Sequence, residues 1–252
     1  MKTAIIFSLA IVLLSFGKSS CFSQEEKDTL TMLFVGNSYT YVGNLPQIVS
    51  AISDQTNTKI ITKSSAFGGA KLREHWLGEK NLKTIDKIKN GDFDIVVLQE
   101  WSMGAINEPD SMIKYSSLLC EFIKEHNAKP YLFLTWAREK VPQYQETINK
   151  VYEKIATENM ATLVPVGKAW ALAKHYRPDI ELHKTDGSHP SDLGTFLTAY
   201  VFIATILHEI PDEQYAYYWS GDINGEPVEL MYAIDPEDVM FCKKVAEEIV
   251  LK

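Results

Sequence analysis

The chain has 252 residues, 46% of them hydrophobic, and a formal net charge of −8 at pH 7. This length lies in the upper range of a single domain and allows a sizeable core. The acidic balance, without a basic stripe, argues against a nucleic-acid partner, because binding to a phosphate backbone needs clustered cationic side chains.

The first predicted element is a removable leader. An early lysine precedes the mostly apolar run 4–14, and small and mixed residues follow that run. The run is too short to span a bilayer, which needs about 20 apolar residues, and the pattern is typical of a secretory signal. We therefore expect residues 1–23 to be a signal peptide, residues 24–252 to form one domain, and the protein to be secreted or periplasmic. A lipid anchor at Cys21, which would make an outer-surface lipoprotein, stays open as an alternative.

The remaining chain alternates between apolar, β-branched runs and amphipathic helical patterns. The predicted strands are Thr31–Val35, Lys59–Thr62, Asp94–Leu98, Tyr131–Trp136 and Thr162–Val166. The predicted helices are one capped by Asn44 with Leu45, Ile48, Val49 and Ile52 on its buried face, one marked by Leu82, Ile85 and Ile88, and the stretches Met112–His126, Tyr144–Ala156, Leu193–Leu207 and Val239–Val250. Such alternation predicts an α/β domain with a mostly parallel sheet, whose ligand site lies beyond the carboxyl ends of the strands.

One segment lies outside this alternation. The stretch 211–236 is long, aromatic and polar, and we expect it to be a surface segment packed on the core. After the leader, no segment of the sequence is long and apolar enough for a membrane span.

The first candidate for chemistry is Ser38, which follows the first predicted strand. Gly36 allows the backbone to turn closely there, so that the hydroxyl is presented at the edge of the sheet. A turn serine that bonds its own backbone would have the same local sequence, and the local sequence taken alone favours that interpretation.

The second candidate is a carboxylate and an imidazole, Asp186 and His189, placed three residues apart. In a tight turn this spacing lets the carboxylate reach one imidazole nitrogen, while the other nitrogen is left to accept a serine proton. The structural alternative is an aspartate that caps a turn before the helix near Asp192. Together with Ser38, the pair would complete a nucleophile, a base and an orienting acid.

Two further positions offer hydrogen-bond donors to a developing oxyanion. The Gly68–Gly69 pair offers unblocked backbone N–H groups, and Gln99 offers a side-chain amide just after the third predicted strand. Taken singly, a Gly-Gly pair is more often a turn, and the glutamine more often a surface amide. Arg138, just after the fourth predicted strand, could bind a carboxylate bidentately or lie in solvent.

These blocks together resemble those of the SGNH (GDSL-like) hydrolase superfamily. The segment Gly36-Asn37-Ser38 is similar to the first block, usually Gly-Asp-Ser, and Gly69 or Gly68 matches the glycine of the second. The Asp-x-x-His pair at 186 and 189 matches the last block. The third block is usually Gly-x-Asn-Asp, whereas this chain has Leu-Gln-Glu-Trp-Ser at 98–102. That segment resembles the Gln-Gly-Glu variant of some carbohydrate acetylesterases.

The resemblance implies a flavodoxin-like, three-layer α/β/α fold with a mostly parallel five-stranded sheet. It implies a serine esterase in which Ser38 is the nucleophile, His189 the base and Asp186 its partner. It also implies an oxyanion hole made by the N–H groups of Ser38 and Gly69 and by the amide of Gln99. The expected substrate is a small-molecule or glycan ester, with an O-acetyl group on a carbohydrate as the first choice, and no cofactor is expected.

Two other functions stay open at this point. His183, Asp186 and His189 form an evenly spaced set that could serve a metal-dependent hydrolase. Alternatively, an acidic secreted protein with exposed aromatic residues could bind glycans without cleaving them.

Overall fold

The structure is a computed structural model that describes residues 27–212, 217–221 and 227–252, with side chains described for 27–212 and 234–252. The predicted signal peptide and Cys21 lie outside the described residues, and so does part of the predicted surface segment 211–236.

Five parallel strands form the central sheet in the order β2-β1-β3-β4-β5. Their bounds are Asp28–Gly36 (β1), Thr58–Ala66 (β2), Ile95–Leu98 (β3), Lys129–Phe133 (β4) and Thr162–Val164 (β5). The strands Tyr217–Gly221 (β6) and Pro227–Ala233 (β7) pair separately and antiparallel. From β1 the chain adds β2 on one side and then β3, β4 and β5 on the other side. Ligands of open α/β sheets bind where the winding changes sides in this way, which here is between β1 and β3.

Helices connect and cover these strands. In the described part of the chain they are α1 (Ser38–Tyr41), α2 (Leu45–Ser53), α3 (Leu72–Leu77), α4 (Thr84–Asn90), α5 (Gly104–Asn107), α6 (Pro109–Glu125), α7 (Gln145–Glu158), α8 (Val166–Tyr176), α9 (Asp192–Leu207) and α10 (Pro236–Val250). Short 3₁₀ turns occur at Glu79–Asn81 and Pro142–Tyr144. None of the helices described here has the length and apolar character needed to span a membrane.

The first strand shows why the sheet is covered on both faces. Met32 and Phe34 belong to one buried apolar cluster, whereas Leu33 and Val35, which alternate with them, belong to another. Helices α2, α8, α9 and α10 complete the first cluster, and α3 to α7 complete the second. The expected three-layer α/β/α architecture with a parallel five-stranded sheet is therefore confirmed.

The main differences from the predicted elements lie at the ends of strands. The fifth predicted strand ends at Val164 rather than at Val166, because Pro165 has no N–H for the ladder and helix α8 begins directly after it. That helix was not predicted. Strand β4 ends at Phe133, three residues before the predicted end. Asn44 does stand just before α2, but in a left-handed conformation and without the predicted side-chain cap.

Candidate active site

Ser38 is the first residue of α1, directly beyond the carboxyl end of β1. The preceding Asn37 has extended backbone, and its Oδ1 accepts a hydrogen bond from the N–H of Tyr39 at 3.1 Å. Its Nδ2 donates to the carbonyl of Ala70 at 2.9 Å. An aspartate could not donate this second bond. Asn37 therefore starts the short helix and also joins it to the turn that contains Gly69.

The two residues predicted from the far end of the sequence meet this serine. The Nε2 of His189 lies 2.9 Å from the Oγ of Ser38, and its Nδ1 lies 2.5 Å from the Oδ2 of Asp186. The other oxygen of Asp186 accepts the N–H groups of Ser188 and His189, each at 2.9 Å. The hydrogen bond from the His189 side chain is the largest cause that lowers the pKa of Asp186 to about 2, and the two backbone hydrogen bonds lower it further. An ionised carboxylate here favours the tautomer in which Nδ1 carries the proton and Nε2 faces the serine.

Aromatic rings support the loop that carries the imidazole. The ring of Tyr39 stacks on Trp136 with centroids 4.7 Å apart, and Trp136 stacks on Trp170 at 3.8 Å. The indole N–H of Trp136 donates to the carbonyl of Ser188 at 2.9 Å, and the hydroxyls of Tyr39 and Ser188 lie 2.8 Å apart. Sequence reasoning did not find Tyr39 or Ser188. The available signal was that each adjoins a predicted catalytic residue.

The predicted oxyanion turn lies at the surface next to Ser38. Gly69 has a φ of +63°, a conformation that favours glycine, and a Cβ there would meet no atom within 4 Å. In the described residues, neither the N–H of Gly69 nor that of Ser38 donates to a protein acceptor. Both groups are thus available, and their role as oxyanion donors stays a prediction.

Gln99 is fully buried, so the interpretation as a surface amide is wrong. Its Oε1 accepts hydrogen bonds from the N–H of Asn37 at 3.0 Å and from the hydroxyl of Thr40 at 3.1 Å, while its Nε2 donates to the carbonyl of Glu100. Exchanging the amide oxygen and nitrogen would set a donor against the N–H of Asn37, so the orientation is fixed by chemistry. These contacts brace the turn that carries Ser38, and the predicted role of Gln99 as an oxyanion donor gains no support from them.

Gly36 is required because its neighbours occupy the space of a side chain. A Cβ on Gly36 would lie 2.5 Å from both the Oε1 of Gln99 and the Oγ1 of Thr40. The carbonyl of Gly36 accepts a hydrogen bond from the Nε2 of buried His75 at 2.9 Å, and the Nδ1 of that ring accepts one from Thr84 at 2.7 Å. Burial lowers the pKa of His75 to about 4, so the ring is neutral at pH 7. His75 is a further supporting residue that sequence reasoning did not find.

Glu100 is a buried carboxyl group, only 4% exposed, at the end of β3. Its Oε1 accepts the N–H of Trp101 at 2.6 Å, and its Oε2 accepts the N–H of Leu72 at 3.3 Å. Burial raises its pKa to about 7 against the opposing effect of these hydrogen bonds. The residue thereby joins the third block to the start of α3, which directly follows the oxyanion turn.

His183, Asp186 and His189, the set considered for a metal-dependent hydrolase, do not form a metal-binding group. The Nε2 of His183 lies 3.1 Å from the carbonyl of Ala137, and its ring packs edge-on against Trp170. Asp186 is instead paired with His189. Within the ranges that the structure describes, no three His, Cys, Asp or Glu side chains form a group able to hold a metal ion.

Comparison with known proteins gives likenesses in structure alone. No family model and no curated protein matches the sequence. A solved DUF4886 family protein from Bacteroides uniformis is 18% identical, with a TM-score of 0.70 over 89% of this chain and 95% of that chain. A proposed SGNH hydrolase from Slackia heliotrinireducens is 24% identical, with a TM-score of 0.59 over 71% of this chain and all of that chain.

A third solved structure, an acetyl xylan esterase, is 18% identical, with a TM-score of 0.56 over 70% of this chain and all of that chain. All three identities are below 25%, so these likenesses concern the fold. The fold of this chain is that of the SGNH (GDSL-like) hydrolases.

Proposed function

We propose that this protein is a serine ester hydrolase that acts through an acyl-serine intermediate. The observation that carries the proposal is the continuous hydrogen-bonded chain from Asp186 through His189 to Ser38, with heavy-atom distances of 2.5 and 2.9 Å. This arrangement combines an orienting carboxylate, a base and an alcohol within hydrogen-bonding reach of one another.

The reaction begins when the Oγ of Ser38 attacks the ester carbonyl and its proton passes to the Nε2 of His189. The N–H groups of Ser38 and Gly69 are the proposed donors to the resulting oxyanion, each worth roughly 3–4 kcal/mol in the transition state. The tetrahedral species expels the alcohol, which takes the proton from His189, and leaves an ester on Ser38. Water then attacks that ester while His189 takes its proton. The bond between the acyl carbon and the Oγ of Ser38 breaks, the Oγ regains the proton from His189, and the carboxylic acid is released.

The proposed substrate is an O-acetyl or similar short acyl ester on a carbohydrate, met outside the cytoplasm. Three observations support it: the signal-like leader, the Gln-Glu third block, and the fold likeness to an acetyl xylan esterase. Two exposed rings, Tyr41 and Phe67, also lie near the oxyanion turn, since a Cβ on Gly68 would meet the Tyr41 hydroxyl at 3.2 Å. Exposed aromatic faces at such a place can contact the apolar face of a sugar ring.

The test is hydrolysis of 4-nitrophenyl acetate and longer 4-nitrophenyl esters by the wild type and by Ser38→Ala. We expect the substitution to remove nearly all turnover and to prevent labelling of this position by an organophosphonate. Ser64→Ala is the matched control, because Ser64 is exposed and its hydroxyl makes no hydrogen bond with any described residue. Equal rates for Ser38→Ala and the wild type would refute the proposal.

The same protein samples separate the two alternatives. A metal-dependent hydrolase would lose its activity in a chelator, whereas the proposed serine esterase would not. A glycan-binding protein without catalysis would bind the glycan without turnover in the wild type, whereas the proposed enzyme would bind it in Ser38→Ala and cleave it in the wild type.

A further inference from the structure

A half-buried cation beside the proposed site lacks a carboxylate partner. Arg138 follows β4, and its Nε and Nη2 lie 3.2 and 2.8 Å from the hydroxyl of Ser102, a neutral acceptor. In the part of the chain with described side chains, no Asp or Glu oxygen lies within 4.0 Å of its guanidinium. The charge of Arg138 is therefore hydrogen-bonded but not neutralised.

The guanidinium lies at the same edge of the sheet as the proposed catalytic residues. The hydroxyl of Tyr39 lies 2.8 Å from that of Ser188. Burial raises the pKa of Tyr39, and the nearby Ser188, Ser102 and Arg138 oppose that rise. Tyr39 is the neighbour of Ser38 in the sequence, and Ser188 is the neighbour of His189. The segment of Arg138 also contacts the loop of His189 directly, because the indole N–H of Trp136 donates to the carbonyl of Ser188 at 2.9 Å.

The backbone around Arg138 is fixed on both sides. The N–H of Ala137 donates to the side chain of Gln145 at 2.6 Å, and its carbonyl faces the Nε2 of His183 at 3.1 Å. On the other side, the N–H of Glu139 donates to the carbonyl of Gly187 at 2.9 Å. The backbone at Arg138 is thus held without a substrate, and Ser102 orients the guanidinium itself, which lowers the cost of ordering this side chain on binding.

The donors of Arg138 exceed what its protein partners use. A guanidinium has five N–H donors in a planar fork. The single oxygen of Ser102 accepts one hydrogen bond from Nε and one from Nη2. Such a fork matches the two oxygens of a carboxylate. The chain as a whole carries a net charge of −8, which repels anions, so a local cation is needed to hold an anionic substrate at this edge.

We propose that Arg138 binds a carboxylate on the substrate, so that the preferred ester is an acylated alcohol that also carries an acidic group, such as an O-acetylated sugar acid. The proposal rests on the proposed esterase function and narrows its substrate class. Arg138 is a substrate-binding residue in this account and takes no part in proton transfer.

The test compares 3- and 4-acetoxybenzoate with the corresponding acetoxybenzamides, which have the same shape and no charge. The quantity measured is the ratio of kcat/KM for the anionic probe to kcat/KM for the neutral probe. Replacing a charged hydrogen-bond donor with an apolar group lowers binding of a charged partner by about tenfold or more. We therefore expect Arg138→Met to lower the ratio at least tenfold, and Arg138→Lys to lower it less, because the charge stays while the planar fork is lost.

Lys140→Met is the matched control, because Lys140 is an exposed cation two residues further along the same segment. We expect this control to leave the ratio unchanged, and thermal unfolding checks that all variants are folded. An unchanged ratio in Arg138→Met would overturn the proposal. An equal loss of activity on both probes would also overturn it, since support of Tyr39 alone predicts that result. An equal fall in ratio for Lys140→Met would assign the preference to long-range charge and overturn it too.

Ser38→Ala separates this proposal from the one on which it rests. If Ser38→Ala still hydrolyses both probes at the wild-type rate, the serine mechanism is wrong. If it hydrolyses neither and Arg138→Met keeps the wild-type ratio, the serine mechanism stands and the assignment of Arg138 is wrong.

Discussion

Glu100 gives the protein a component of stability that falls as the pH rises. Its carboxyl is buried at the end of β3, and desolvation raises its pKa from 4.5 to about 7. A group whose pKa is higher in the folded state contributes stability that is fully present below the unfolded pKa and lost as the pH rises through the folded pKa. The window for Glu100 is therefore about pH 4.5 to 7, and the loss across it is roughly 3 kcal/mol at about 1.4 kcal/mol per pKa unit.

His75 acts in the opposite sense over nearly the same window. Burial lowers its pKa from 6.5 to about 4, so its contribution is present above 6.5 and is lost as the pH falls through 4. Between about pH 4.5 and 6.5 the two contributions nearly cancel. Glutamine at position 100 does not titrate, so Glu100→Gln leaves the rise from His75 uncompensated.

Urea unfolding of the wild type and Glu100→Gln between pH 4.5 and 7.5 measures this effect. We expect the difference in the free energy of unfolding, variant minus wild type, to grow by about 3 kcal/mol from pH 4.5 to 7. Glutamine has only one acceptor oxygen, so the variant also loses the hydrogen bond from the N–H of Leu72. This loss adds to the difference in unfolding free energy an offset that does not depend on pH. Glu121→Gln, on the exposed side of α6, is the control with no such slope. A difference for Glu100→Gln that stays constant across this range would refute the reasoning.

Two further substitutions test the site itself. Asp186→Asn is expected to lower kcat for 4-nitrophenyl acetate by about 10³–10⁴, because an amide favours the wrong imidazole tautomer and cannot stabilise the imidazolium; Asp179→Asn is the exposed control, and a loss below tenfold would contradict the assigned role. Gly36→Ala is expected to lower the free energy of unfolding by about 1–3 kcal/mol, because its Cβ would overlap the side chains of Gln99 and Thr40. Unaltered urea unfolding would show that this contact is not tight.

The layered fold was predictable because strands buried on both faces leave a direct pattern in the sequence. Ile95–Leu98 is apolar at each position, and all four residues are buried. Helix α8 was not predictable in the same way, because the run 162–166 is mostly apolar and β-branched, and only Pro165 marks the change from strand to helix. The order of the strands also depends on packing between segments far apart in the chain, which local patterns do not record.

The contacts of the candidate site also differ in whether a local sequence pattern predicts them. The contact between Asp186 and His189 lies within one turn, so their spacing predicted it. The contact between His189 and Ser38 joins residues 151 positions apart, so no local pattern records it. The complementary chemistry of the two segments suggested it, together with the resemblance to known blocks. Tyr39 and Ser188 gave no separate signal, because a tyrosine or a serine beside a turn has many other uses.

Gln99 shows what residue type alone does not decide. Its side chain could have faced a substrate, but Gly36 leaves room for it to turn inward and meet the N–H of Asn37. Asn37 in turn donates to the carbonyl of Ala70, beside the oxyanion turn. The asparagine of the first block and the glutamine of the third therefore lie in one hydrogen-bond network, although the sequence presents them as two separate departures from the usual blocks. Because the amide of Gln99 is engaged in that network, the proposed oxyanion hole depends chiefly on the backbone N–H groups of Ser38 and Gly69.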